Sequence, residues 1–172
     1  MAAEASAFGR ALIAEGKRRL FRDSQPRIHR CLGQLTEEEI WFRPNAETVS
    51  VGNLVLHLLG NVRQQILSGL CGAPDRRRRQ EEFDERGPIP ADELLRRLDA
   101  LMVEVDEALD RLDPTTLLTV RKVQGYEESG LSILVHVIEH FSYHVGQMTY
   151  FVKSRKAVDM GYYAGIDLNV TS

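Results

Sequence analysis

Three histidines, His57, His140 and His144, carry the strongest chemical signal in this chain. His140 and His144 stand four residues apart, so on an α-helix they stack on one face, one turn apart. Two neutral imidazoles at that spacing can chelate a single ion. The neighbours Val137, Phe141, Val145 and Met148 are apolar, which predicts that this face is buried. Burying two imidazoles without a shared partner leaves ring nitrogens unsatisfied at roughly 1–3 kcal/mol each, and one cation satisfies both. His57 interrupts the aliphatic run Val55-Leu-His57-Leu-Leu59, which predicts another buried imidazole on a different helix. Facing histidines from two helices of a bundle make an internal metal site. Three neutral nitrogen ligands suit a divalent Zn, Ni or Fe ion and leave at least one position for water or substrate.

The residues around the trio supply secondary candidates. Asn61 follows His57 by four residues and should look into the same pocket; Gln147 lies one turn beyond His144. Each could bind polar groups of a substrate, orient a histidine, or simply pack as an amide between helices. His136 precedes His140 by one turn, but successive four-residue steps drift by about 40°, so His136 and His144 diverge by about 80°. His136 is therefore set outside the ligand set. The segment His136-Val-Ile-Glu139-His140 also spells HxxEH, a zinc-protease pattern that needs a downstream glutamate as third ligand. No glutamate follows Glu139, so that reading fails, and Glu139 is expected to face outward or to support a ligand. Tyr126, Tyr143 and Tyr150 are assigned no role, and Trp41 is expected to anchor the turn before the His57 helix. No general base is identifiable.

Four segments with helical periodicity must position these groups. The first spans about Ala5 to Leu35, with Pro26 expected to kink or split it. Thr36 and Glu39 form a predicted capping box that opens a short helix ending before Pro44. The second long helix runs from near Ser50 to Gly69, and the third from Pro90 to Leu112. Between them, Cys71 to Pro90 reads as a long connection whose Arg76–Arg79 run is expected to be a solvated face, with anion capture as its alternative. Leu117 to Glu127 could form one or two short strands around Gly125, and the fourth helix covers about Ser129 to Lys153. The expected fold is an all-α four-helix bundle with a long connection between helices 2 and 3, in one domain over residues 1–172.

Composition narrows the function classes. The chain has 172 residues, 43% of them hydrophobic, enough for one sizeable core. A net charge of -3 and a pI near 6.0 argue against a nucleic-acid partner and give no reason for an anionic membrane surface. Cys31 and Cys71 form no CxxC pair, which points to reduced thiols. The start of the sequence has no basic stretch followed by an apolar one, and its most apolar run is too short to span a bilayer. A soluble, cytoplasmic protein is expected.

Ser50-Val-Gly-Asn-Leu-Val-Leu-His57-Leu-Leu-Gly-Asn61 and His140-Phe-Ser-Tyr-His144-Val-Gly-Gln147 resemble the DinB/YfiT-like superfamily, in a branch of DinB-like proteins. Trp41-Phe-Arg-Pro44 and the Arg-rich stretch leading to Glu82-Phe83 look similar to that branch as well, and the resemblance covers nearly the whole chain. It implies a four-helix bundle whose three histidine ligands fall on His57, His140 and His144, and a homodimer. Some relatives are bacillithiol S-transferases or mycothiol-dependent maleylpyruvate isomerases; others are hydrolase-like. The resemblance thus implies a divalent-metal protein but no single reaction; the incomplete three-histidine shell leads to the expectation of a metal-dependent enzyme of thiol S-transferase type, acting on a small-molecule substrate with a low-molecular-weight thiol. A metal-dependent hydrolase and a non-catalytic, dimeric stress or interaction protein stay open beside it.

Overall fold

The computed structural model describes residues 2–171. Its elements are α1 (Ala2–Lys17), a π-helical run (Arg18–Ser24) and α2 (Gln25–Leu32), then the short α3 (Glu37–Trp41). Next come α4 (Val51–Val62) with a π-helical continuation (Arg63–Leu70), a short α5 (Arg79–Asp84) and α6 (Ala91–Arg111). A 3₁₀ turn (Pro114–Leu118), strands β1 (Val120–Val123) and β2 (Tyr126–Ser129), and the long α7 (Gly130–Lys156) complete the order.

Local chemistry sets most of these ends. Thr36 Oγ1 accepts from Glu39 N, and Glu39 Oε2 accepts from Thr36 N at 2.9 Å, closing the predicted capping box. Ser50 and Asn53 form a second one at the start of α4. Asn53 is fully buried, and its side-chain amide donates to the carbonyls of Glu82 and Glu85, both at 2.9 Å. That amide fastens the long connection to the head of the helix bearing His57. Trp41 adds an anchor, its indole N–H donating to Ile89 O at 3.1 Å. Pro90 precedes the first residue of α6 without a side-chain capping bond, whereas Ser129 caps α7, its Oγ accepting from Ser132 N.

Three expectations need amendment. Of the kink or split expected at Pro26, the split does not occur, because Ser24 and Gln25 both keep right-handed helical backbone angles. The turn ahead of the proline widens instead, with Gln25 N–H reaching back five residues to Leu20 O, which relieves the usual clash between a proline ring and the preceding turn. The connection from Cys71 to Pro90 is not wholly irregular, since it carries α5. The fold is also not purely helical. β1 and β2 pair antiparallel, from Val120 with Ser129 to Val123 with Tyr126, around Gln124 and Gly125, both at positive φ as a tight two-residue hairpin turn demands.

The core lies among the long helices. α4 packs against α6 and α7, and α7 also contacts α2, the π runs and β2. Leu54, Val55, Leu58 and Val62 from α4 bury with Leu94, Leu98, Met102 and Val105 from α6 and with Leu134, Val137, Phe141 and Met148 from α7. His57, Asn61 and His144 are buried along this same apolar seam. Among the described residues, no helix is long and apolar enough to cross a membrane.

Candidate metal centre

α4 and α7 bring the three predicted histidines together. Their ring centroids lie 4.9 Å (His57–His140), 5.1 Å (His57–His144) and 4.4 Å (His140–His144) apart, and one nitrogen from each falls within 4.8 Å of the others. His57 and His144 are buried and His140 is half-buried.

The outer ring atoms determine which nitrogens face inward. Gln147 Oε1 accepts from His144 Nδ1 at 2.7 Å, because an amide oxygen can only accept. His144 Nε2 is then a bare acceptor, enclosed and without a hydrogen-bond partner. On the other side, Glu82 Oε2 accepts from His57 Nδ1 at 2.9 Å, which fixes Nε2 of His57 as its inward nitrogen. His57 Nε2 and His140 Nε2 face each other at 2.9 Å. Two imidazole nitrogens pointed at one another, beside a third that is buried and unpaired, fit a shared cation. The donor set is all neutral nitrogen, as divalent Zn, Ni or Fe prefers.

Burial keeps His140 and His144 in the neutral form. Burial, followed by the nearby His144, His57, His136 and Arg77, pushes His140 down to about 3 from its ordinary value of 6.5. Burial also pushes His144 down, against the opposing bond to Gln147. An unprotonated ring is the form that can ligate a metal.

Sequence reasoning missed the group that holds His57. No carboxylate other than Glu139 was expected near the ligands, yet Glu82 reaches His57 from α5, and Glu139 is exposed. Arg77 grips Glu82 through Nε to Oε1 at 2.7 Å and Nη2 to Oε2 at 2.8 Å. Burial alone would raise the Glu82 carboxyl, but the bonds from Arg77 and then His57 outweigh it and hold the group below its ordinary range. Arg77 also donates to Gln64 Oε1 at 2.9 Å, and Gln64 donates to Asp75 Oδ2 at 2.8 Å. The expected solvated arginine face is thus corrected at one position. The Arg77 side chain is 4% exposed, whereas Arg76, Arg78 and Arg79 face solvent. Gly60 makes room for this pair, since a Cβ there would overlap Glu82 Oε1. A glycine directly before Asn61 and three residues after His57, on an otherwise apolar helix, was the available sequence signal.

Phe83, also on α5, tilts over His57 at 4.8 Å between ring centroids, with the Arg79 guanidinium 4.7 Å above the phenyl ring. Gln147 is exposed and supports His144 instead of lining a pocket; Asn61 is buried, with its Oδ1 unpaired. His136 is exposed and stacks on His140 at 5.3 Å, outside the cluster, and Tyr126, Tyr143 and Tyr150 are exposed.

Comparison with known proteins agrees with this architecture. The model of the family described as "Protein of unknown function (DUF1572)" matches residues 8–163. A crystal structure of a DinB-like protein from Bacillus cereus ATCC 10987 superposes with a TM-score of 0.66 at 18% identity, covering 85% of this chain and 94% of that one. At that identity the likeness carries the fold alone. No curated protein matches the chain. The chain belongs to the DUF1572 family, and its fold is the DinB-like one.

Proposed function

We propose that this protein binds one divalent metal ion through His57, His140 and His144 and works as a metal-dependent enzyme of thiol S-transferase type. The observation that carries the metal reading is the unpaired, enclosed Nε2 of His144 beside the facing nitrogens of His57 and His140. A divalent ion held by three neutral imidazoles supplies a full positive charge that lowers the pKa of a bound thiol or water toward neutrality. The chain's own residues do the rest. Glu82 and Gln147 hold two of the rings by their outer nitrogens, and α5 covers His57 with Phe83.

Thiol chemistry is favoured over hydrolysis by how the carboxylates are used. Metal-dependent hydrolases commonly pair the ion with a protein base that takes a proton from the attacking water. Glu82 is already committed to Arg77 and His57, and Glu139 faces solvent. A thiol becomes a good nucleophile once its proton is lost to the bulk, with no such base required. A four-helix-bundle arrangement of the long helices and a homodimer belong to this proposal.

A thiol-transfer screen with bacillithiol, mycothiol and glutathione against small electrophiles, run on metal-loaded and metal-stripped protein, tests it. Turnover with at least one thiol that vanishes on stripping and returns on reloading is expected. Turnover unaffected by stripping would sink the metal-bound thiolate.

A further inference from the structure

Buried polar groups without partners continue beyond the histidine centre. Asn61 and Gln65 are 3% and 6% exposed, and neither side chain pairs with another described protein group. His57, Asn61 and Gln65 succeed one another at four-residue steps, each about 6 Å of helical rise. They form one polar stripe on an otherwise apolar helix face. α7 runs antiparallel beside it. His57 meets His140 and His144, whereas Gln65 shares a cavity of about 230 Å³ with His136, one turn earlier on α7. His136 stacks on His140 at 5.3 Å with a 21° interplanar angle, so a single pair of rings separates this cavity from the centre.

Natural proteins rarely leave a buried polar atom unsatisfied; Asn61 Oδ1 is enclosed and unpaired, and one helical turn on, Gln65 lines the cavity, a pairing that marks where a ligand's polar groups go. The chemistry of the lining says which ligand. Asn61 offers a carbonyl oxygen, and Gln65 offers an amide that can donate and accept. Glu128 of β2 adds a carboxylate, of which one oxygen accepts from Ser132 Oγ and the other remains for a ligand. Val123 and Ile133 supply the apolar wall, and no lysine or arginine lines the cavity. The Glu128 carboxylate is the one acidic group of this lining, beside amides, a phenol and an imidazole that can both donate and accept, which favours an amine- or hydroxyl-bearing molecule and disfavours an anion.

We infer that the Asn61–Gln65 stripe and the cavity at His136 and Glu128 are the subsite for the body of a small, neutral or cationic, amine- or hydroxyl-bearing molecule. Its reactive head reaches the histidine centre, and in that respect the inference rests on the metal site proposed above. The subsite itself is defined by residues that are not metal ligands, so the two readings can fail separately.

The test follows the side-chain amide signals of Asn61 and Gln65 by ¹⁵N NMR in zinc-loaded protein during titration with 2-aminoethanethiol and, in parallel, mercaptoacetate. Both probes carry a thiol head; one bears an amine and the other a carboxylate. Saturable shifts of both amides are expected, with 2-aminoethanethiol bound at least tenfold more tightly. Asn61→Leu, near-isosteric, and Gln65→Leu, one atom shorter, both free of unpaired polar atoms, should each weaken that binding at least tenfold while zinc content and melting temperature hold. Glu128→Gln should erase most of the preference for the amine. Unmoved amides, equal or better binding of mercaptoacetate, or wild-type affinity in both leucine variants would overturn the subsite. Should the protein retain none of zinc, nickel or iron, the metal reading falls, and the titration is repeated on metal-free protein with ethanolamine. Saturable shifts of the two amides then uphold the subsite, and unmoved amides overturn it.

Discussion

The two sides of the histidine centre are built in opposite ways. On α7, the ligand and its support come from one helical stretch: Gln147 stands three residues from His144 and holds it from an exposed position. On α4, His57 depends on Glu82, twenty-five residues away in sequence, and Glu82 depends in turn on the buried Arg77. The α7 side is local, wet and replaceable by water. The α4 side is non-local and dry, and removing one member leaves an uncompensated charge inside the protein. Support of equal geometry therefore carries unequal energetic weight.

Breaking the dry side should produce the largest effect. Glu82→Ala strands the Arg77 guanidinium, and breaking a buried ion pair typically costs about 3–5 kcal/mol. A large drop in denaturant midpoint is expected, together with a 10–100-fold loss of metal affinity from the freed His57 ring. A melting temperature and metal affinity within error of wild type would show that Glu82 does not hold the site. Gly60→Ala should come next, because its methyl displaces Glu82 without removing its charge. About tenfold weaker metal binding is expected by competition with a chelator, and unchanged binding would mean the connection adjusts freely.

The wet side should respond less. Gln147→Ala leaves His144 Nδ1 able to reach solvent, so stability should stay within about 0.5 kcal/mol and metal affinity should fall by less than tenfold. A loss as large as that of Glu82→Ala would contradict the asymmetry. Smallest of all, Arg76→Ala and Arg78→Ala should each change stability by no more than about 0.5 kcal/mol, since both side chains face solvent, even though they flank Arg77. Chemical denaturation of the pair beside Arg77→Ala would expose any hidden role.

The same asymmetry explains what could be read from the sequence. The spacing of His140 and His144, the aliphatic setting of His57, the capping box at Thr36, and the helix starts near Ser50 and Ser129 are short-range patterns, and the structure realises each of them. The hairpin was visible only as a hint around Gly125, whose positive φ the tight turn requires. The π-helical runs were not legible, because a five-residue hydrogen-bond step leaves no distinct residue pattern. Nor was α5, as a six-residue helix has too little intrinsic stability to announce itself. It is held from outside, by the Asn53 amide on the carbonyls of Glu82 and Glu85. Arg77 and Glu82 looked like members of a charged surface tract because their partners lie on another element. Only folding shows that one arginine of four turns inward.

The central claim is that His57, His140 and His144 hold one ion between α4 and α7. Elemental analysis of protein purified without an affinity tag, beside His57→Ala, His140→Ala and His144→Ala, tests it most directly. The account predicts close to one divalent metal ion per wild-type chain and its loss in every single variant, with each variant still folded by circular dichroism. Metal content unchanged in the folded His57→Ala and His144→Ala proteins would contradict it, because an ion that survives the loss of either helix's ligand is bound somewhere else.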